Sequence, residues 1–363
     1  MEWAENDLSN EYKLLIECTR NYFEFEETDI DIRDIDWKIF WRLCEFHKVV
    51  GIAFKNIEKM GIIIPRDIRE QAKVWENETI KRNISQRIEF NNIIETIEVP
   101  IIVLKGLWLS NFLYKSDSVR RSADIDILFD VCNKKTLKRS LESRGYIQST
   151  YDKKSNSIVK ASREKVIYHE IFTHELYQYI KMIDTIPVCF DCNFKFSWCG
   201  AKGYVAPDIS FDEAMIDSEV YENENIKCTS LKRELFFIHL CVHCYNEYHY
   251  FLFDNVINYG DLRLYRLCDI RSLIQEGMVD FQRIKSLVEK MGAKRQVDFC
   301  INLSNLIYAD DIFQPISYKF MDEKMLNIYY NPNGEKYEWD LSIYERIFDI
   351  TKRIEETEAI FKS

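Results

Sequence analysis

The chain is short of glycine, proline and histidine: its 363 residues include 10 Gly, 6 Pro and 6 His. There is no Gly-x-x-x-x-Gly-Lys-Ser/Thr loop and no Gly-x-Gly-x-x-Gly turn, which excludes a P-loop or a dinucleotide-binding crossover as the phosphate cradle. A run of about 18 uninterrupted apolar residues, the signature of a membrane-spanning helix, is also missing. The N-terminal stretch Met-Glu-Trp-Ala-Glu-Asn-Asp is acidic where a secretory signal is basic, so the expected compartment is the cytoplasm, with no membrane partner.

Positive charge is outnumbered, with 49 Lys and Arg against 60 Asp and Glu. The formal net charge is −11, which argues against nonspecific nucleic-acid binding, since that affinity rests on basic side chains neutralising phosphates. The imbalance is uneven: residues 1–36 hold twelve acids against three bases, whereas residues 101–165 hold fourteen Lys/Arg against seven Asp/Glu. A basic excess of that kind suits a nucleoside triphosphate, although a solvated helix bearing Lys134, Lys135, Lys138 and Arg139 accounts for part of it.

Eleven cysteines are present, an odd number spread along the chain, which fits reduced thiols better than a disulfide framework. Two Cys-x-x-Cys pairs resemble halves of a zinc site. Cys189 and Cys192 fall on a predicted strand, where they point to opposite faces; Cys241 and Cys244 fall in an apolar helical run. His239 and His243 share a helix face without the glutamate of a His-Glu-x-x-His motif, and read as core or hydrogen-bonding groups.

Apolar periodicity divides the chain into three expected regions: a helical region at 1–94, a core at 95–200, and a helical domain at 201–363. Within the core the expected strands are Ile101–Leu104, Asp124–Phe129, Lys165–His169 and Val188–Phe196. The expected helices are Leu107–Tyr114, Lys134–Ser143 and Leu176–Ile180. A return strand after Gly145-Tyr146 is expected to pair with Ile158–Ala161. Beyond it, Ser230 is a candidate cap for an apolar helix at Lys232–Tyr250. Further helices are expected at Leu262–Glu276, Phe281–Met291, Val297–Tyr308 and Ile343–Phe361, and the stretch Tyr318–Glu338, with Asn331-Pro332-Asn333-Gly334, reads as the least structured.

The most informative stretch is residues 103–129. An apolar run ends in a Lys105-Gly106 turn, and after an amphipathic segment and Arg120-Arg121-Ser122 come two carboxylates, Asp124 and Asp126, alternating with Ile125, Ile127 and Leu128. On a strand the two aspartates project from one face. Two close carboxylates repel, and a divalent cation between them relieves the repulsion; hard oxygen ligands in such a pair suit Mg²⁺ carrying substrate phosphates. On spacing alone, a solvated edge strand reads equally well. The Lys-Gly turn and the basic lead-in, which would supply phosphate-binding cations, favour the metal reading.

This block resembles the uncharacterised nucleotidyltransferases of the DNA polymerase β superfamily, in Leu104-Lys105-Gly106, Tyr114, Arg120 and Asp124-Ile125-Asp126-Ile127-Leu128. The resemblance extends over about residues 37–275. It implies an α+β fold with a small mixed β-sheet core flanked by helical regions, and a third carboxylate on a later strand, for which Asp191 in Val188–Phe196 is the candidate. Asn193 stands where the family commonly has His, and Gly106 lies eighteen residues before Asp124, farther than in many superfamily members.

The resemblance implies a nucleotidyltransferase that moves a nucleoside monophosphate from an NTP, ATP first among them, to an acceptor hydroxyl or phosphate, with pyrophosphate leaving. Asp124, Asp126 and Asp191 would hold Mg²⁺ or Mn²⁺, with Asp191 serving a second metal or taking the proton of the attacking hydroxyl. Lys105, Gly106, Arg120 and Ser122 would bind the nucleotide. The acceptor would be a small molecule, peptide or protein. The alternatives are a catalytically silent nucleotide-binding regulator or toxin-antitoxin component on the same fold, and a purely structural helical interaction protein. His174, Glu175, His243, Leu262-Arg263 and Asp269 are polar groups whose roles the sequence leaves open.

Overall fold

A computed structural model describes residues 9–24, 30–197, 204–250, 262–331 and 333–362. The acidic N-terminal stretch, Trp198 at the expected end of the core, and Pro332 lie outside the described residues. The chain divides into two compact units, one of residues 1–76, 244–279 and 294–363, the other of residues 77–243 and 280–293.

The second unit is built on one mixed sheet. Its strands are β1 (Ile101–Leu104), β2 (Ile125–Phe129), β3 (Ile147–Asp152), β4 (Ser157–Lys160), β5 (Tyr179–Ile183), β6 (Ile186–Asn193), β7 (Ser218–Glu222) and β8 (Lys227–Leu231). They lie in the order β4-β3-β5-β6-β2-β1-β8-β7. β1 pairs parallel with β8 and β2 parallel with β6, and the other neighbours are antiparallel. The central strands β1 and β2 are buried along their whole length, as sheet interiors covered on both faces require. Aromatic packing closes one side, with Trp108 lying 4.5 Å from Phe236 and 5.1 Å from Tyr221 between ring centroids.

The helix Lys134–Ser143 forms as its pattern predicts, burying Leu137 and Leu141 one turn apart. The 29-residue helix Arg66–Ile94 follows a different rule. In the part belonging to this unit, Thr79, Asn83, Gln86, Phe90 and Ile93 are buried at three- and four-residue spacing, so three of the five positions on the inward stripe are polar. Their partners lie in the loop leading to β2, described below.

The first unit is mainly helical. It contains Asn10–Arg20, Trp37–Phe46 capped by the Asp36 side chain, Val50–Lys59, Leu264–Gln275 and Lys294–Tyr308. Asp269 is buried there. Arg271 is buried and ion-paired to Asp310, and stacks over Tyr308 at 4.0 Å.

Several expectations change. Lys165–His169 is helical, within Arg163–Phe172, because Ser162 caps it and its alternation is too short to hold a strand. Leu176–Ile180 is not a helix; Tyr179 begins β5, which pairs with β6. Ser230 lies in β8, where its hydroxyl donates to Val103 O at 2.7 Å, and the helix begins at Arg233. The hairpin β7–β8 went unread, since it lacks an Asn-Gly turn and a strong apolar alternation. With that hairpin and the β3–β4 pair, the sheet has eight strands and is larger than the small core expected. The C-terminal helix is two helices, Ile343–Phe348 and Ile350–Lys362, and the stretch Tyr318–Glu338 holds a hairpin of β9 (Ile328–Tyr330) and β10 (Lys336–Glu338).

Candidate active site

The sheet brings the three carboxylates together. Asp126 on β2 is the register partner of Asp191 on the parallel strand β6, so both side chains leave the same face at the same level. Asp124, two residues before Asp126, completes the group: one ligand atom from each of the three lies within 4.8 Å of the others. Among the described residues this is the one group of three or more His, Cys, Asp or Glu side chains close enough to share an ion.

Lys105 enters from β1. The strand ends at Leu104, itself the register partner of Asp126, and Lys105 takes a left-handed backbone conformation, φ +43°, uncommon for a residue with a side chain. That turn delivers its Nζ to within 2.7 Å of Asp126 Oδ1. Burial opposes the charge on Lys105, but Asp126, Asp124 and Asp191 outweigh it and raise its pKa. Asp126 is pushed up to about 7: burial raises it, Lys105 pulls it down and Asp124 pushes it up again. Asp191 rises well above the ordinary carboxylate value through burial and repulsion from Asp124, Glu175 and Asp126.

Asp126 and Asp191, each raised by the other carboxylates around it, and the close approach of oxygen atoms from Asp124, Asp126 and Asp191 fit a divalent cation. The ligands are hard oxygens, and the repulsion is what such an ion removes.

Gly106 and Ser122 interlock. A Cβ at Gly106 would lie 2.0 Å from Ser122 Oγ and 2.9 Å from its Cβ, so glycine is required here by the approach of the loop before β2. Ser122 is buried, and its hydroxyl donates to Asp124 O at 2.7 Å, which fixes the backbone just ahead of the acids. Arg120 Nη1 donates to Arg121 O at 2.8 Å.

The polar stripe of the helix Arg66–Ile94 holds this same loop. Asn83 Nδ2 donates to Asp117 O at 2.8 Å and Arg120 O at 2.9 Å, and Asn83 Oδ1 accepts from Ser122 N at 3.3 Å. Arg87 forms a two-armed ion pair with Asp117, and Gln86 donates to Ser122 O at 3.4 Å. Farther along, Glu89 accepts from Tyr146 Oη at 3.0 Å and Lys181 Nζ at 2.8 Å. The sequence places this helix within the helical region 1–94 without singling out these residues; the polar Thr79, Asn83 and Gln86 at three- and four-residue spacing were the available signal.

Glu175, one of the polar groups whose role the sequence leaves open, lies close to the acids. Residues 174–176 pair with the end of β6, through Leu176 N to Cys192 O at 2.9 Å and Phe194 N to His174 O at 2.9 Å. Glu175 accepts from or shares a proton with His169 Nε2 at 3.2 Å, and it adds to the repulsion on both Asp126 and Asp191. Burial holds the His174 pKa down to about 4 and that of His239 to about 3, so both are neutral near pH 7. Cys189 and Cys192 lie on opposite faces of β6, and Cys189 packs 3.3 Å from Gln178 Oε1.

A family model described as an uncharacterised nucleotidyltransferase matches residues 33–309, about three-quarters of the chain. The chain belongs to this nucleotidyltransferase family. The match covers all eight strands of the sheet and the three carboxylates. Searches of curated proteins and of solved structures find no match.

Proposed function

We propose that this nucleotidyltransferase family member moves a nucleoside monophosphate from an NTP, with ATP the first candidate, to a hydroxyl or phosphate of a small-molecule, peptide or protein acceptor, releasing pyrophosphate. The observation that carries the reading is the clustering of Asp124, Asp126 and Asp191 beside Lys105 on one face of the sheet.

In this reading Asp124 and Asp126 hold Mg²⁺ or Mn²⁺, with Asp191 as a third ligand or as the base that takes the proton of the attacking hydroxyl. When bound, the metal supplies charge neutralisation at the phosphates and at the leaving pyrophosphate. Lys105 stands ready to exchange its contact with Asp126 for a phosphate oxygen, and Arg120 adds positive charge to the same loop. Gly106 lets the loop close against Ser122, and Ser122 holds the carbonyl of Asp124, so both shape the nucleotide side of the site.

The test is transfer of label. With Mg²⁺ and NTP labelled at the α- or the γ-phosphate, and acceptor fractions of small molecules, peptides and proteins, the α-label should join an acceptor while the γ-label leaves as pyrophosphate. Transfer of the γ-label, or release of inorganic phosphate instead, contradicts the reading.

A further inference from the structure

The helix Arg163–Phe172 is turned inside out. Its polar side chains face the protein: His169 Nε2 lies 3.2 Å from Glu175 Oε1, and Glu170 is ion-paired to Lys134 at 2.6 Å and Lys138 at 2.8 Å. Its apolar side chains face water. Ile167 is 45% exposed, Tyr168 65%, Ile171 65% and Phe172 62%, and no residue of the helix is buried. The four fall at i, i+1, i+4 and i+5, a continuous stripe on a helix surface, and the rings of Tyr168 and Phe172 lie 4.8 Å apart within it. A surface helix ordinarily shows the reverse arrangement, and a contiguous apolar patch left in water marks an interaction site.

A shallow hollow of about 330 Å³ runs along the same helix, lined by Glu164, Lys165, Tyr168, His169 and Tyr177. It connects the stripe to the acids. His169 in its lining holds Glu175, and Glu175 is the antiparallel partner of Asn193, which leaves β6 on the same face as Asp191 two residues earlier.

Size and charge identify the occupant. The four side chains present roughly 500 Å², short of the about 800 Å² that each partner of a stable dimer buries, so the stripe fits a short segment better than a second copy of this chain. Its surroundings are basic. Residues 131–172, which form the helix Lys134–Ser143, the sheet-edge pair β3–β4 and this helix, hold ten Lys/Arg against four Asp/Glu in a chain of net charge −11. An acidic partner is drawn to that end of the sheet. Aliphatic Ile167 and Ile171 offer bases no stacking platform, which favours a polypeptide over RNA.

We propose that the outward face of this helix docks an acidic amphipathic polypeptide segment, and that this polypeptide is the acceptor. The inference rests on the transferase reading above and narrows its acceptor class. In the transfer a serine, threonine or tyrosine oxygen of the docked chain bonds to the α-phosphorus of the NTP and its proton passes to a carboxylate of the site. The bond from the α-phosphorus to the bridging oxygen breaks, and its electron pair leaves on pyrophosphate.

Fluorescence anisotropy with the full chain tests it, using short synthetic peptides that carry Leu at helical spacing, contain Ser, Thr and Tyr, and differ only in having Glu, Gln or Lys at their charged positions. The Glu peptide should bind saturably and about tenfold or more tighter than the Lys peptide. Phe172→Ser and Ile171→Glu should each weaken that binding about tenfold or more, while thermal unfolding stays unchanged because both side chains are already in water. With Mg²⁺ and α-labelled ATP the Glu peptide should gain label, and both variants should raise its KM at unchanged kcat and unchanged ATP affinity. Peptide binding that the variants leave intact, or tighter binding of the Lys peptide, would overturn the inference. So would single-stranded RNA that binds through the same side chains, an oligomer that Ile171→Glu dissociates, or label passing to small molecules while the bound peptide gains none. Failure of the wild type to bind ATP would strike the transferase reading beneath, and the docking face would then stand or fall on the anisotropy alone.

Discussion

Lys105 Nζ and Asp126 Oδ1 lie 2.7 Å apart, and each sets the other's charge. Among the described residues the ammonium is the one cation ion-paired to this buried acid, so its removal leaves Asp126 with burial and repulsion. Lys105→Ala should raise the Asp126 pKa further and reduce kcat/KM by about 10²-fold or more. Steady-state transfer kinetics check it, and unchanged kcat/KM would remove Lys105 from the site's chemistry.

The interlock of Gly106 with Ser122 makes a steric prediction. Gly106→Ala places a Cβ against a buried hydroxyl whose own bond to Asp124 O resists displacement. The cost should be about 1–3 kcal/mol in denaturant unfolding. The double variant Gly106→Ala with Ser122→Gly should recover part of that loss, because both atoms nearest the new Cβ are gone.

Asn83 carries three bonds to the loop from one buried amide. Asn83→Ala leaves two carbonyls and an amide N–H of the loop without that partner and should cost about 1–3 kcal/mol of stability. The loop positions Asp124, so metal affinity should fall as well. Chemical denaturation and Mn²⁺ titration measure the two effects separately.

The raised acids make metal-free stability depend on pH. Asp126 has an ordinary value of 3.8 and is pushed up to about 7 in the fold. A raised folded pKa contributes stability that is complete below the unfolded value and is lost as pH rises through the folded one. Metal-free protein should therefore lose stability between about pH 4 and 7, and Asp191, shifted in the same direction, adds to the loss. Asp126→Asn should flatten that slope. Mg²⁺ needs the ionised carboxylates, so its affinity should fall about tenfold per pH unit below about 7. Thermal unfolding at several pH values, with and without Mg²⁺, tests both signs.

The carboxylate strand was legible in the sequence because its signal is local: Asp-Ile-Asp alternation fixes a shared face, and Ile101–Leu104 and Lys134–Ser143 appear where their patterns place them. Asp191 came from the family resemblance, as the candidate third carboxylate on the expected strand Val188–Phe196, and it is the register partner of Asp126. What the sequence hid depends on long-range packing. The inward stripe of the helix Arg66–Ile94 is partly polar, so apolar periodicity passes over Asn83 and Gln86. The Arg163–Phe172 helix and strand β5 were exchanged in type because short apolar stretches suit either period, and sheet partners decide between them.

The most direct test of the central claim is calorimetric titration of ATP, GTP, CTP and UTP into the protein with and without Mg²⁺, with Asp126→Asn in parallel. The account predicts saturable NTP binding that requires the metal and is lost in the variant. Absence of binding for all four nucleotides, or binding that Asp126→Asn retains unchanged, would contradict it.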